Sequence, residues 1–328
     1  MDQHVKSNPQ SCAVVAIGRN EGERLVACLD ALQGQGARVV YVDSGSTDNS
    51  VEEARKRGVA VVALDMSIPF TAARARNAGW ATLVEGDQTP PEYVQFIDGD
   101  CILQPDWLET ASKFLAERPK VAIVSGRNRE RFPERSVYNW LADIEWDTPV
   151  GEGTACGGNA MIRTTALLET DGFNPNLIAG EEPELCLRLR KKGWSIWRID
   201  AEMTLHDAAL ERFGQWWQRA KRAGFAAAEA TKMHGKGPER HGVKPMMRAV
   251  IWGGILPLCL ILGAAFISPW ILLLGLIYPL QIVRRHLKGD PWTQAFFVML
   301  AKIPELQGVL RYIWHNLQRR EASLIEHK

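Results

Sequence analysis

The sequence lacks several features that would place it in a specialised class of protein. Its six cysteines are scattered, with no CxxC pair, no zinc-finger spacing and no compact disulfide framework. Its formal net charge is only +1, which gives no excess of either sign to indicate a nucleic-acid partner. Residues 1–10 are polar and have no apolar core typical of a signal peptide. We therefore expect reduced thiols, a cytosolic soluble part and no nucleic-acid partner.

One long stretch lacks charge altogether, because residues 249–283 contain no Asp, Glu, Lys or Arg. As one straight helix it would be roughly 50 Å long, well beyond a hydrocarbon core of about 30 Å. Ser268-Pro269 offers a break, and basic residues such as Arg248 and Arg284 flank both ends. Positive flanks favour the cytoplasmic side, so we predict a hairpin or re-entrant loop on the cytoplasmic face of the cell (inner) membrane. A buried hairpin of soluble helices is the alternative.

The change in composition also predicts the domain organisation. Before residue 245, charged and apolar residues interleave as in a soluble domain. We predict a soluble domain over residues 1–235 and a membrane-associated helical region over residues 236–328. An amphipathic helix is expected at about residues 293–320, interrupted by Pro304. This helix would lie along the membrane interface or pack against the soluble domain.

Short apolar runs alternate with helical patterns in the soluble part, as in a largely parallel sheet covered by helices. The predicted strands are residues 12–17, 38–43, 59–64, 93–97, 121–124, 157–163 and 197–205. The predicted helices are residues 21–32, 47–57, 71–84, 105–117 and 165–171, and one that follows Pro183. Residues 127–152 show no clean strand period.

The sharpest candidate site is Asp98-Gly99-Asp100, directly after an apolar strand. Two carboxylates one residue apart can share a hard divalent cation, and the glycine lets backbone and substrate approach closely. Alone, such a triplet is a common surface turn. Polar residues also end the first two strands, at Glu21 and Asp43, where an open α/β sheet binds nucleotides. Asp43 would accept hydrogen bonds from a base or ribose, or else cap the next helix.

A second constellation combines Gly157-Gly158-Asn159 with Glu181 and Glu182. The glycines open a strand, or form a plain turn. The two glutamates lie just before Pro183, which suits a first helical position, and carboxylates are also favoured there by the helix dipole alone. The helix dipole would account for one of the two glutamates, and the other is a candidate catalytic residue.

These motifs together resemble glycosyltransferase family 2. Residues 13–21, 43–48, 74–79 and 98–100 follow the family's order and spacing, within a match over about residues 12–225. The resemblance implies a GT-A fold, a Rossmann-like mixed α/β sheet with helices on both faces, here followed by C-terminal membrane-associated helices. It also implies an inverting transfer from a nucleotide-diphosphate sugar donor with Mn²⁺ or Mg²⁺.

The resemblance assigns roles residue by residue. Glu21 and Asp43 would hold the nucleoside, and Arg76 would lie near the base or diphosphate. Asp98 and Asp100 would hold ribose and metal, and His206 would be a third metal ligand or a structural histidine. Glu182 would be the general base, although the family's usual aspartate is replaced by glutamate and Glu181 is the alternative.

The sequence therefore predicts a sugar transferase of polysaccharide or surface-glycan synthesis, with a lipid-linked or glycan acceptor at the membrane. A nucleotidyltransferase would want a glycine-rich basic loop after the first strand, where residues 18–21 supply one glycine and an acid. A membrane-tethered binding protein without catalysis is the third hypothesis. Residues 215–219 depart from the Gln-x-x-Arg-Trp signature of processive synthases, so Trp216 and Trp217 would stack on a sugar, lie at the membrane or pack in a core.

Overall fold

The computed structural model describes residues 12–85 and 89–318, so the prediction for residues 1–10 lies outside the described residues. The chain forms two compact units. The first comprises the residues up to 177 together with residues 181–209, and the second comprises residues 178–180 together with those from 210 onward. The domain boundary predicted after residue 235 stays a prediction.

The first unit is built on a nine-stranded sheet. Its strands are β1 (Cys12–Gly18), β2 (Arg38–Asp43), β3 (Ala60–Ala63), β4 (Tyr93–Asp98), β5 (Cys101–Leu103), β6 (Val121–Glu130), β7 (Gly151–Gly153), β8 (Ala160–Arg163) and β9 (Ser195–His206). The order is β3-β2-β1-β4-β8-β6-β9-β5, and β7 pairs with β9. The sheet is mixed, because β8 runs antiparallel to β4 and β6 while β1, β2, β3 and β4 form parallel pairs. The predicted mixed α/β class is confirmed, but the sheet is less parallel than the alternation of elements suggested.

Helices cover both faces of this sheet. They are α1 (Glu23–Leu32), α2 (Ser50–Lys56), α3 (Ala72–Val84), α4 (Trp107–Ala116), α5 (Val137–Trp146), α6 (Thr164–Glu169) and α7 (Glu181–Lys191). Alternate residues of β1 enter different apolar clusters: Val14 packs with α1 and α4, and Val15 packs with α3, α6 and α7. This period of two is expected for a strand buried on both faces.

Three local predictions are corrected by the structure. The helix predicted after Pro183 begins at Glu181, because a proline in the first turn removes an N–H that has no partner within the helix. The strand predicted over residues 157–163 is confined to Ala160–Arg163, since the preceding glycines form a bend. Residues 127–152, which show no strand period, contain the end of β6, a short 3₁₀ turn, α5 and β7.

The second unit is helical. Its helices are α8 (Phe213–His234), α9 (Val243–Val250), α10 (Leu256–Phe266), α11 (Ile277–His286), α12 (Trp292–Leu300) and α13 (Lys302–Leu317). A π-helical turn joins α9 to α10, and a 3₁₀ segment, Pro269–Leu276, precedes α11. The helix predicted over residues 293–320 is thus two helices, and Pro304 lies in the first turn of α13 rather than at the interruption. A proline is tolerated in a first turn, because the N–H that it lacks would have no partner within the helix.

Glycines bring α8 and α13 into backbone contact. A Cβ on Gly224 would lie 1.9 Å from the carbonyl oxygen of Glu305, and one on Gly308 would lie 2.0 Å from that of Lys221. Beside this seam, the fully buried Phe225 packs in the small core of the unit. Larger residues at either glycine would separate the helices.

One helix among the described residues is long and apolar enough to cross a membrane. It is Val243–Phe266, which has 24 residues and is mostly exposed. It ends just before the break predicted at Ser268-Pro269, and the exposed apolar surface continues through Ile267 and Trp270. No second helix of that length and apolarity occurs in residues 12–85 and 89–318.

Candidate active site

The carboxyl ends of three neighbouring strands bring the predicted motifs to one edge of the sheet. In the pairing of β1 with β2 and β4, Gly18 lies opposite Asp43 and Ile17 lies opposite Asp98. The amide of Gly99 donates to the carbonyl oxygen of Ile17 at 2.7 Å. A Cβ on Gly99 would lie 3.1 Å from that oxygen, so a glycine here allows the turn after β4 to pack closely against the end of β1.

Asp43 is buried and its carboxylate organises the loop after β2. Its Oδ2 accepts hydrogen bonds from the amides of Gly45 at 3.0 Å and Ser46 at 2.9 Å. Its Oδ1 accepts a hydrogen bond from the hydroxyl of Tyr41 at 3.1 Å. The carboxylate is therefore held rigidly at the sheet edge.

Glu21 lies next to the same part of the edge. Its Oε2 forms an ion pair with Arg24 at 2.7 Å, and its side chain is 6% exposed. A Cβ on Gly18 would lie 3.1 Å from Cγ of Glu21 and 3.3 Å from the hydroxyl oxygen of Tyr41. Glu21 and the Tyr41–Asp43 pair thus flank one glycine at the end of β1. Their roles in holding a nucleoside stay predictions.

Arg76 lies at the centre of three carboxylates, of which Glu181 is buried while Asp98 and Glu182 are partly exposed. Its side chain, on α3, is 2% exposed. Nη1 lies 2.9 Å from Oε1 of Glu181 and 3.0 Å from Oε1 of Glu182, and Nη2 lies 3.0 Å from Oδ1 of Asp98. One guanidinium therefore joins the end of β4 to the first turn of α7.

The two glutamates differ in their surroundings. Glu181 is 5% exposed and Glu182 is 16% exposed. Burial, together with the charge of Glu181 and against the opposing charge of Arg76, raises the pKa of Glu182 to about 7. Glu182 is thus the more accessible acid, and it is poised to exchange a proton near neutral pH.

The bend before β8 closes around this group. A Cβ on Gly158 would lie 2.5 Å from Nη2 of Arg76, 3.0 Å from Oδ2 of Asp98 and 3.1 Å from Oε1 of Glu182. The next residue, Asn159, accepts a hydrogen bond from the amide of Asp98 at 2.9 Å. The predicted Gly-Gly-Asn motif therefore supports the acidic residues directly.

Asp100 and His206 form a second group a short way along the edge. Asp100 Oδ1 lies 3.3 Å from His206 Nε2. With the sulfur of Cys101, these atoms all lie within 4.8 Å of one another. Asp98, predicted to share the metal, is not in this cluster and instead contacts Arg76.

The chemistry of this group fits a hard divalent cation. A carboxylate oxygen and an imidazole nitrogen are suitable ligands for Mn²⁺. The sulfur of Cys101 accepts a hydrogen bond from Nδ2 of Asn159 at 3.2 Å, and sulfur ligands favour softer ions than Mn²⁺ or Mg²⁺. Asp100 and His206 are the residues that would hold the ion.

Sequence reasoning did not assign roles to Asn159 or Trp146. Asn159 was visible beside the two glycines, but nothing in the motif indicated its hydrogen bond to Asp98. Trp146 stacks on His206, with ring centroids 4.5 Å apart and an interplanar angle of 11°. It lies in residues 127–152, which are rich in charge and Trp but have no clean strand period, so the sequence did not place it beside His206.

The tryptophan pair of α8 packs within the second unit. Trp216 is buried and meets Phe297 edge to face at 5.0 Å. Trp217 Nε1 donates to Oε1 of Gln307 at 3.0 Å. Of the three predicted roles, core packing accounts for Trp216.

Comparisons with known proteins agree with this fold. Glycosyl transferase family 2 matches residues 13–169, and Glycosyl transferase family group 2 matches residues 93–283, more than half of the chain. The chain is 24% identical over 218 residues to glycosyltransferase AglE of Haloferax volcanii, an alignment that covers 62% of this chain and 69% of that protein. It is 25% identical over 215 residues to the succinoglycan biosynthesis protein ExoA of Rhizobium meliloti, covering 61% of this chain and 64% of ExoA, which is less than two thirds of that relative.

A solved structure has the same architecture. The mannosyltransferase PcManGT from Pyrobaculum calidifontis, in complex with GDP-Man and Mn²⁺, aligns with a TM-score of 0.62 and 22% identity. The alignment covers 96% of this chain and 91% of PcManGT. The mixed sheet with helices on both faces is therefore the GT-A fold of glycosyltransferases. The chain belongs to glycosyltransferase family 2.

Proposed function

We propose that the chain transfers a sugar from a nucleotide-diphosphate donor to an acceptor hydroxyl, with inversion at the anomeric carbon. The observation that carries this proposal is the contact of Arg76 with Asp98, Glu181 and Glu182. Through this contact Arg76 connects Asp98, at a strand end, to Glu182, an acid with a pKa near 7. Nucleotides bind at such strand ends in open α/β sheets. No observation favours a nucleotidyltransferase or a binding protein without catalysis.

Glu182 is the proposed general base. Its greater exposure and raised pKa support this role over Glu181, whose position deeper against Arg76 suits orientation of the guanidinium. A base with a pKa near the working pH accepts a proton efficiently, and about half of it is ionised beforehand.

The proposed step is a single displacement. The acceptor oxygen forms a bond to the anomeric carbon while its proton passes to the carboxylate of Glu182. The bond between that carbon and the diphosphate oxygen breaks on the opposite side, and the nucleoside diphosphate leaves with the electron pair. One displacement from the opposite side inverts the anomeric centre.

Donor binding is assigned to the sheet edge. Glu21 and Asp43 would hold the nucleoside, and Asp98 would hold the ribose or share the metal. Arg76 would supply positive charge near the diphosphate while it orients the acids. The rigid hydrogen bonding of Asp43 supports a role in positioning, because a fixed acceptor loses little entropy when it binds a ligand.

Asp100 and His206 are the proposed ligands of Mn²⁺ or Mg²⁺. A divalent cation bound there would stabilise the negative charge that develops on the departing diphosphate. The complex of PcManGT with GDP-Man and Mn²⁺ supports a divalent cation as the cofactor, and the choice of Asp100 and His206 rests on their geometry in this chain.

The acceptor is proposed to be a lipid-linked saccharide or growing glycan at the cytoplasmic face of the inner membrane, in polysaccharide or surface-glycan synthesis. The apolar helix Val243–Phe266, with basic residues such as Lys244 and Arg248 in its first turns, supports attachment at a cytoplasmic face. We retain residues 1–235 as the catalytic domain and residues 236–328 as the membrane-associated region, within this proposal.

A screen of nucleotide sugars tests the proposal. The full chain in detergent is mixed with each donor and Mn²⁺, and its melting temperature and donor hydrolysis are measured. We expect one donor to raise the melting temperature, because a ligand that binds only the folded state stabilises it. If no nucleotide sugar binds with or without divalent ions, the proposal is wrong.

A further inference from the structure

Trp146 covers one face of the His206 ring. The two rings are nearly parallel, at 4.5 Å and 11°, while Nε2 of His206 lies 3.3 Å from Oδ1 of Asp100. A stack of this kind restricts rotation of the imidazole about its last side-chain torsion. The indole therefore restricts the direction in which Nε2 points.

Core packing does not account for the position of Trp146. Its side chain is partly exposed, and it belongs to neither of the two apolar clusters that cover the sheet. Trp194 provides the contrast, because it is also partly exposed but packs against the second cluster. The contact with His206 is thus the main structural feature of the Trp146 ring.

Two arginines fix the end of α5, where Trp146 is the last residue. The carboxylate of the next residue, Asp147, lies 3.2 Å from Arg198 and 3.4 Å from Arg127. The arginine side chains are only 9% and 6% exposed. Asp147 is itself 59% exposed, and its hydrogen bond from Arg198 and its ion pair with Arg127 attach the helix end to buried side chains of β6 and β9.

A further contact ties the same helix to the strand beside His206. Oδ1 of Asp143 accepts a hydrogen bond from the amide of Glu130 at 2.9 Å and pairs with Arg127 at 3.1 Å. Glu130 lies directly opposite His206 in the pairing of β6 with β9. The two strands that present the histidine therefore also hold the helix that carries the tryptophan.

We propose that Trp146 is a positioning residue for the metal site: its indole ring, fixed through Asp147 by Arg127 and Arg198, holds the imidazole of His206 with Nε2 beside Asp100. This inference rests on the proposed function, because it takes Asp100 and His206 as ligands of a divalent cation. Residues that orient a metal ligand typically contribute 10–100-fold to metal affinity without touching the metal.

The test measures Mn²⁺ binding directly, by the electron paramagnetic resonance signal of free Mn²⁺ titrated with the full chain, alone and with GDP or UDP. Trp146→Leu keeps apolar bulk but removes the aromatic plane, and Trp146→Phe keeps a plane. We expect Trp146→Leu to weaken Mn²⁺ binding by about 10-fold or more, and Trp146→Phe to keep most of the affinity. Trp194→Leu, the matched control, should bind Mn²⁺ like the unmodified chain.

The outcomes separate the two proposals. If His206→Ala weakens Mn²⁺ binding but Trp146→Leu does not, the positioning role is wrong and the metal site stands. Equal losses in Trp146→Leu and Trp194→Leu would likewise overturn it, since they would reflect general destabilisation. A chain that binds no Mn²⁺ under any of these conditions would overturn both the metal site and this inference.

Discussion

Oε1 of Glu182 lies 3.0 Å from a guanidinium nitrogen of Arg76, so the proposed base is paired with a buried cation. Burial raises the pKa of the glutamate while the cation opposes that rise, and the balance lies at about 7. The cation thus keeps about half of the Glu182 carboxylates ionised at neutral pH, in a site where burial alone would protonate more of them.

Replacing Glu182 by Gln removes the proton acceptor and keeps the shape of the side chain. We expect kcat for sugar transfer to fall by about 100-fold or more, while the affinity for the donor changes little. Kinetics of transfer and calorimetric titration of the donor measure the two effects. Glu181→Gln is the control and should lose less; if it loses more, Glu181 is the base.

The raised pKa of Glu182 predicts an acid-side loss of activity. A base must be ionised, and protonation of Glu182 increases as the pH falls through about 7. The logarithm of kcat should therefore decrease below this pH, with a slope that approaches about 1. A profile that is flat down to pH 5 would contradict the assignment of Glu182 as the base.

The metal site predicts different outcomes for its three neighbouring side chains. Asp100→Asn and His206→Ala should each weaken Mn²⁺ binding, and chelation should abolish transfer until Mn²⁺ or Mg²⁺ is restored. Cys101→Ser should retain the affinity, because the sulfur is a soft atom that Mn²⁺ does not favour and it already accepts a hydrogen bond from Asn159. Loss of Mn²⁺ binding in Cys101→Ser would show instead that the sulfur takes part.

Gly158 lies where no side chain fits. In Gly158→Ala the new methyl group would lie 2.5 Å from Nη2 of Arg76, so the guanidinium must shift from Asp98. We expect a loss of about 1–3 kcal/mol in the free energy of unfolding and a fall in kcat. Gly157→Ala is the matched control, since no atom lies within 4 Å of its Cβ, and it should leave both quantities nearly unchanged.

Removal of the central cation tests the electrostatics of the group. Arg76→Met would leave three neighbouring carboxylates without their shared partner. Because an uncompensated buried charge is costly, we expect the free energy of unfolding at pH 8 to fall by about 3–5 kcal/mol. Denaturant unfolding measures this loss, and Arg76→Lys should recover part of it. Equal stability of Arg76→Met and the unmodified chain would show that the acids are already neutral.

Much of the first unit could be predicted from sequence, because its strands are short apolar runs and its motifs follow strand ends. The strand predicted over residues 38–43 is β2 itself, and the predicted helix over residues 71–84 differs from α3 by one residue. Local patterns of this kind reflect burial on fixed faces, which the sequence records directly.

The site could be predicted only in part. The sequence indicated that the acids would lie on one sheet edge, but not that Asp98 would turn towards Arg76 while Asp100 turned towards His206. That division depends on side-chain packing between residues distant in the chain. Trp146 illustrates the same limit, since its stack depends on how α5 is held to β6 and β9.

The register of the central strands sets the distance that a ligand must span to contact both Asp43 and Asp98. Asp43 and Asp98 end strands that lie on either side of β1, so two interstrand spacings, roughly 10 Å, separate their backbones. A nucleoside, which has a base at one end and a ribose at the other, can extend across a gap of this size. The strand register thus sets the minimum length of a ligand that contacts both strand ends.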